Sequence, residues 1–323
     1  MSSPAFSVVI ATFDRREVLL RTLGALLRQK GAPSFEIVVA DDGSRDGSAD
    51  LAEKLLAAGT VPWQVSSAPN AGQAAARNRA IDLARGELLL FLNDDTIPAF
   101  DLLARHAEAR AGHARGGDAD SGLCVLGSLR TSPAIPREQI AWLYQFDYRW
   151  IEACDEVPYL FFWTCNLSVP RAFLLQHGLF DTSFRALEDL ELGWRLHGQG
   201  LRIHYEPRAL VDHEHPMNLA GLCREMHVRG QMLRRYVERY GMTPGLADYM
   251  DLGSEGGSWK RRLRQRVERA AWNRFTLGSA ERLLSRPRPP TALRQYLFFK
   301  VMHAFKLAGF YGRAFEALPV PGG

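Results

Sequence analysis

Three short polar clusters stand where chemistry could be done. Asn93-Asp94-Asp95 follows the apolar run Leu88-Leu89-Leu90-Phe91-Leu92, which would hold its carboxylates rigidly at a sheet edge. A hard cation, magnesium or manganese, can bridge carboxylates so placed to diphosphate oxygens. The alternative is a solvated turn in which Asp95 caps the next helix. Asp41-Asp42-Gly43-Ser44 closes another apolar run, where a fixed carboxylate can accept hydrogen bonds from a base imide N–H or from ribose hydroxyls. Gly43 can make the turn there while Asp46 or Ser48 caps the helix that follows. Asn70-Ala71-Gly72, with Arg77 and Asn78, forms the third cluster, on a helix whose N-terminus favours a diphosphate.

Two further constellations lie in the second half. Glu188-Asp189-Leu190-Glu191-Leu192 opens a helical pattern, so two carboxylates stand near a helix start, a place the macrodipole favours for acids in any case. Ala209-Leu210-Val211-Asp212-His213-Glu214-His215 reads as a strand, and alternation along it puts His213 and His215 on one face.

The elements that must position these groups alternate. Ser7 to Ala11, Phe35 to Ala40, Val61 to Ser66 and Glu87 to Leu92 read as strands, separated by helical patterns such as Val18, Leu19, Thr22, Leu23, Leu26 and Leu27. That alternation predicts parallel strands with helical crossovers, the first half of an α/β sheet. Ligands of such sheets sit beyond the carboxyl ends of the strands, and each strand here ends in hydrogen-bonding or anionic residues, beginning with Thr12-Phe13-Asp14-Arg15. Gly112 to Gly122 reads as a flexible excursion, and the aromatic stretch Trp142 to Trp163 as the lining of a cleft.

From about Ser7 to His215 the order of motifs resembles the family 2 glycosyltransferases of the GT-A fold. The resemblance implies a Rossmann-like, mostly parallel sheet flanked by helices. It also implies inverting transfer from a nucleoside-diphosphate sugar, with UDP or dTDP preferred, to a hydroxyl of a glycan or lipid-linked acceptor. It puts Thr12 and Arg15 at the nucleotide edge, Asp42 on base or ribose, Arg77 on the diphosphate side, Asp94 among the nucleotide-sugar contacts, and Asp95 with His213 on Mn2+ or Mg2+. Asp189 becomes the general base, with Glu188 beside it on the acceptor, and Trp163 and Asn166 of Trp163-Thr164-Cys165-Asn166 become acceptor contacts. Cys165 is read as core rather than nucleophile. The first acidic position of the family's metal motif is Asn93 in this chain, an amide where a carboxylate is the better ligand. That departure keeps open a catalytically silent module that binds nucleotide or polysaccharide.

The 323 residues suit a catalytic domain over 1–216, with a nucleotide-sugar half to about 100 and an acceptor half beyond, and a helical extension over 217–323. A net charge of +4 gives little drive toward nucleic acid. A nicotinamide dehydrogenase would need a Gly-x-Gly-x-x-Gly turn after the first strand, where Thr12-Phe13-Asp14-Arg15-Arg16 stands. A sugar nucleotidyltransferase would open with a glycine-rich loop carrying Arg and Lys, and none is found there. Cys124, Cys154, Cys165 and Cys223 are too scattered for a zinc or disulfide framework, and Met1 to Phe6 does not read as a leader, so a cytoplasmic location is expected. Gly253 to Ser258 reads as a hinge before a basic helix carrying Lys260-Arg261-Arg262-Leu263-Arg264. With the aromatic and basic run from Tyr296 to Phe310 it forms either a helical cap or a pair lying on the inner face of the plasma membrane.

Overall fold

Three of the first four strands are near-continuous runs of Val, Ile, Leu and Phe, the signature of strands covered on both faces, whereas the third, Trp63–Ser67, mixes in Gln and Ser and lies at the sheet edge. In the computed structural model the four are β1 (Phe6–Thr12), β2 (Phe35–Asp41), β3 (Trp63–Ser67) and β4 (Leu88–Asn93). The helices α1 (Arg16–Leu26), α2 (Ser48–Ala57) and α3 (Gln73–Leu83) connect them. The structure describes residues 3–144, 148–215, 217–249, 279–280, 282–284, 286 and 288–313. Two compact units emerge, Met1–Pro133 with Phe146–Glu214, and Ala134–Gln145 with His215–Gly323.

The first unit is built on an eight-stranded sheet of order β3-β2-β1-β4-β7-β6-β8-β5. Its second half uses β5 (Thr96–Pro98), α4 (Leu102–His113), β6 (Leu123–Thr131), β7 (Asn166–Pro170), α5 (Arg171–His177), α6 (Glu188–His197) and β8 (Arg202–His213). Two registers matter for function. β1 pairs in parallel with both β2 and β4, with Thr12 level with Asp41 and Ala11 level with Asn93, so three strand ends come out side by side. β5 runs antiparallel to β8 with Thr96 opposite His213, which brings the end of β8 to the residue after Asp95.

Buried polar groups pin the sheet. Glu36, fully buried, accepts from Ser7 Oγ at 2.6 Å and from the Arg85 backbone N–H at 2.6 Å. The register of β6 on β8 breaks between Gly127 and Ser128, where a Cβ on Gly127 would meet Asn166 Nδ2 at 2.2 Å and Ala209 O at 2.4 Å. Glycine is required there because the Asn166 amide fills the space a side chain would take.

Asp95 does not cap a helix, because the residues after it form β5. The segment 112–122 connects α4 to β6. α4 runs to His113, a short 3-10 turn spans Gly117–Asp120, and Asp120 accepts from the Arg115 and Gly116 N–H groups at 2.8 Å each.

In the second unit, α7 (Leu219–Tyr240) starts at Asn218, whose side chain accepts from the Gly221 N–H at 2.7 Å. A short α8 (Leu246–Tyr249) follows, and α9 (Ala292–Phe310) starts at Thr291, whose side chain accepts from the Arg294 N–H. Leu222, Cys223, Phe298, Val301, Met302 and Phe305 form its core with Ile140 and Leu143. α7 and α9 meet backbone to backbone: a Cβ on Gly230 would lie 1.9 Å from Lys306 O, and one on Gly309 2.0 Å from His227 O. The expected hinge at Gly253–Ser258, the basic run from Lys260 and the boundary residue Pro216 lie outside the described residues.

Candidate functional site

The aligned ends of β1 and β4 carry the first cluster. Thr12, buried at the end of β1, donates its Oγ1–H to Asp94 at 2.8 Å. Arg15 Nη1 donates to Asp94 at 3.2 Å and also to Asp95. Thr22 on α1 donates to the Asp94 carbonyl at 2.8 Å, and the Glu214 N–H donates to the Asp95 carbonyl at 2.8 Å, so both acidic residues are fixed through their backbone as well. His213 at the end of β8 brings Nε2 to 3.6 Å from Asp95 Oδ1.

Electrostatics single out the acidic pair. Asp94 is pushed up to about 6, by burial first and by the Asp95 charge second, against the pull of Arg15 and Thr12. Burial pulls Arg15 down, but Asp95 and Asp94 together hold it above its ordinary value. Two adjacent buried carboxylates sharing one guanidinium are a setting in which added positive charge is worth a great deal. The donor set suits a divalent cation: a carboxylate oxygen of Asp95 and an imidazole nitrogen of His213 stand close enough for one ion to touch both.

A second cluster lies on the other side of Asn93. Arg77, 4% exposed, donates from Nη1 to Glu188 Oε1 at 2.6 Å and from Nη2 to Asn93 Oδ1 at 3.2 Å. Its guanidinium lies 5.5 Å from the Phe180 ring centroid. These partners place the Arg77 guanidinium, expected on the diphosphate side, between the end of β4 and the start of α6. They also give Asn93 a structural reason: Arg77 already has one buried carboxylate in Glu188, and an amide at 93 accepts its second N–H without adding charge beside Asp94 and Asp95.

Leu187, a non-glycine residue at φ 62°, precedes α6, whose first turn holds Glu188 and Asp189. Asp189 Oδ1 accepts from the Leu190 N–H at 2.8 Å. Cys165 reports how close the two clusters are. Its thiol is pushed up to about 12 by burial and then by Asp189, with smaller influences from Arg77 and Asp95. A thiol so raised stays protonated, in keeping with a core rather than a nucleophilic role.

The Asp41-Asp42 cluster builds the rim. Asp42, nearly fully buried, accepts from the Ala71 N–H at 2.9 Å and the Gly72 N–H at 2.8 Å, and so holds the loop before α3. Asp41 accepts from Ser67 Oγ at 2.6 Å and from the Ser44 N–H. Asp14, at φ 50°, gives its N–H to Ser44 Oγ at 2.9 Å and accepts from the Arg45 N–H at 2.6 Å, which clasps the loops after β1 and β2 together.

Asn166 is not an acceptor contact. It is fully buried on β7, its Nδ2 donates to Ser128 O at 3.0 Å and Ala209 O at 2.8 Å, and its Oδ1 pairs with His106 Nε2 at 2.9 Å. Because Oδ1 can only accept, His106 carries its proton on Nε2, and Nδ1 at 3.0 Å accepts from Ser168 Oγ. Trp163 is half-buried and packs on Phe161 and Tyr148, whose ring stacks on Tyr205 at 4.9 Å. The sequence reading missed Thr22 and Glu214. A helical Thr in α1's buried stripe and an acid next to His213 were the only signals for them.

Residues 7–116 match the family described as Glycosyl transferase family 2. That stretch runs from β1 to α4 and carries Thr12, Asp42, Asp94 and Asp95. The chain is 34% identical over 222 residues to validoxylamine A glucosyltransferase of Streptomyces hygroscopicus subsp. limoneus, an alignment covering 61% of this chain and 49% of that protein. It is 27% identical over 264 residues to the uncharacterized glycosyltransferase YfnE of Bacillus subtilis (strain 168), covering 66% of this chain and 65% of that one. The chain spans about half the length of the first curated relatives it matches, 49% and 52%. Among solved structures, it resembles the mannosyltransferase PcManGT of Pyrobaculum calidifontis, in complex with GDP-Man and Mn2+, with a TM-score of 0.56 at 17% identity, covering 95% of this chain and 88% of that one. It also resembles S. aureus TarS 1-349 in complex with UDP, with a TM-score of 0.54 at 18% identity, covering 94% and 88%. The fold is of the GT-A type.

Proposed function

We infer that this chain is a metal-dependent, inverting glycosyltransferase that moves a sugar from UDP or dTDP onto a hydroxyl of a glycan or lipid-linked acceptor. The observation that carries the reading is the register of β1, β4, β5 and β8, which gathers Thr12, Arg15, Asp94 and Asp95, all within the family 2 match, and His213 beyond it at one sheet edge. Supporting it are a relative named for glucosyl transfer and fold neighbours solved with UDP and with GDP-Man and Mn2+.

In this reading Asp95 and His213 hold the cation, Mn2+ or Mg2+, which when bound offsets charge on the leaving diphosphate. Thr12 and Arg15 fix Asp94 and line the nucleotide edge, and Asp42 keeps the loop at 70–72 shaped for the nucleotide. Arg77 acts through Glu188, anchoring the first turn of α6 against β4 so that Asp189 is held in place. Asp189 takes the acceptor proton as the acceptor oxygen bonds to the anomeric carbon and the bond to the diphosphate breaks on the opposite face. Configuration inverts in that single displacement, with positioning and electrostatics accounting for most of the acceleration. Trp163 offers an aromatic surface to the acceptor.

The test is Asp189→Asn in a donor-turnover assay with nucleotide affinity measured in parallel. Loss of a general base should lower turnover by roughly 100- to 10,000-fold while nucleotide affinity is unchanged. Turnover at the wild-type rate would remove Asp189 from the chemistry.

A further inference from the structure

The net charge of +4 conceals an uneven division. Residues 215–323 hold 19 Lys and Arg against 8 Asp and Glu, a balance of +11, while residues 1–214 hold 21 against 28, a balance of −7. The C-terminal part is therefore a strongly basic body joined to an acidic catalytic one. A polycation of this density seeks a polyanionic partner.

The second observation is the outer face of α9. The helix turns Phe298, Val301, Met302 and Phe305 into the core of its unit, and a soluble helix would put charged residues on the opposite side. Instead Leu293 is 64% exposed, Tyr296 50% and Phe299 48%. Leu307 and Phe310, partly exposed, continue the same face at helical spacing. Lys300 stands among them with Nζ 5.6 Å from the Tyr296 ring centroid. Apolar and aromatic side chains interspersed with lysine are what an interfacial helix presents to headgroups and the upper acyl region. No helix among the described residues is long and apolar enough to cross a membrane.

We propose that the outer face of α9 docks on a bilayer containing anionic phospholipid, with Tyr296 and Phe299 entering the interface and Lys300 and Lys306 meeting the headgroups. A soluble anionic glycan would engage the basic residues and leave the aromatic face without a function. A second copy pairing the same face with itself would bring +11 against +11. The inference does not depend on the catalytic reading, though it would bring the enzyme to lipid-linked acceptors.

The experiment is co-sedimentation of the full chain with vesicles of phosphatidylcholine alone and with about 30% phosphatidylglycerol, at about 0.1 M and 0.5 M salt, where charge attraction is strong and largely screened respectively. Binding to anionic vesicles is expected to exceed that to neutral ones by tenfold or more at low salt. Tyr296→Ser/Phe299→Ser should weaken it about tenfold or more at both salts, since each half-exposed ring contributes apolar area. Lys300→Gln/Lys306→Gln should weaken it roughly 10- to 30-fold at low salt only, near a factor of five per charge. Donor turnover in solution should be unchanged in both variants, which separates this inference from the catalytic one. Equal binding to neutral and anionic vesicles by the wild type would overturn the proposal without any variant. So would an aromatic variant that binds as the wild type does, capture by inorganic polyphosphate without vesicle binding, or a concentration-dependent dimer abolished by Tyr296→Ser/Phe299→Ser.

Discussion

The Arg77–Glu188 pair offers the sharpest test of how the site is built. Both side chains are almost wholly buried, 4% and 7% exposed, and meet at 2.6 Å, with Asn93 as the further acceptor of the guanidinium. Glu188→Leu would leave a buried guanidinium facing only the Asn93 amide, and removal of one partner from a buried ion pair costs about 3–5 kcal/mol. Arg77→Met would leave a buried carboxylate, which can take up a proton and so loses somewhat less. Removing both, in Arg77→Met/Glu188→Leu, should return the protein close to wild-type stability, because an apolar pair of similar volume is often neutral or better. With the double variant near wild type, the expected coupling is close to the sum of the two single losses, roughly 5 kcal/mol or more, read from urea unfolding of the four proteins with m held constant. Turnover should stay low in the double variant even as stability returns, because the tie between α6 and the Asn93 side-chain oxygen through Arg77 is gone. Single effects that add to within about 0.5 kcal/mol would refute the idea that the two residues work as one unit.

Two further outcomes concern the scaffold. Burial of the His106 ring, opposed by its bond to Asn166, lowers it from 6.5 to about 4. The unfolded chain therefore binds the extra proton first, so His106's contribution is full above pH 6.5 and is lost as pH falls toward 4, on the order of 2–3 kcal/mol. Urea unfolding between pH 7 and 4 should show a steeper loss in the wild type than in His106→Gln, and parallel curves would contradict the buried neutral ring. Gly309→Ala should destabilise the C-terminal unit by about 2 kcal/mol or more, since its methyl would fall 2.0 Å from His227 O, and thermal unfolding without a downward shift would argue against that close contact.

Much of the catalytic half was legible because its signals are local. The runs around Val8-Val9-Ile10, Ile37-Val38-Val39 and Leu89-Leu90-Phe91 have no polar face, so they read as buried parallel strands, and the residues that end them could be named in advance. What was not legible depends on register and pairing. Asn166 looked like a polar residue near a site, but pairing of β7 between β4 and β6 buries it against His106 and Gly127. Arg77 looked like an anion binder on a helix N-terminus, and only the return of α6 from 111 residues away reveals Glu188 as its partner. The short β5, three residues long, carries no periodicity of its own and is defined by the β8 edge it pairs with.

The central claim is that Asp95 belongs to a cation-dependent nucleotide site. Isothermal titration of UDP, dTDP and GDP, with and without manganese, into the wild type and Asp95→Ala tests it most directly. The expected result is binding of one nucleotide that needs manganese and is lost in Asp95→Ala. Binding that is unchanged by manganese and by Asp95→Ala, or no binding of any of the three, would contradict it.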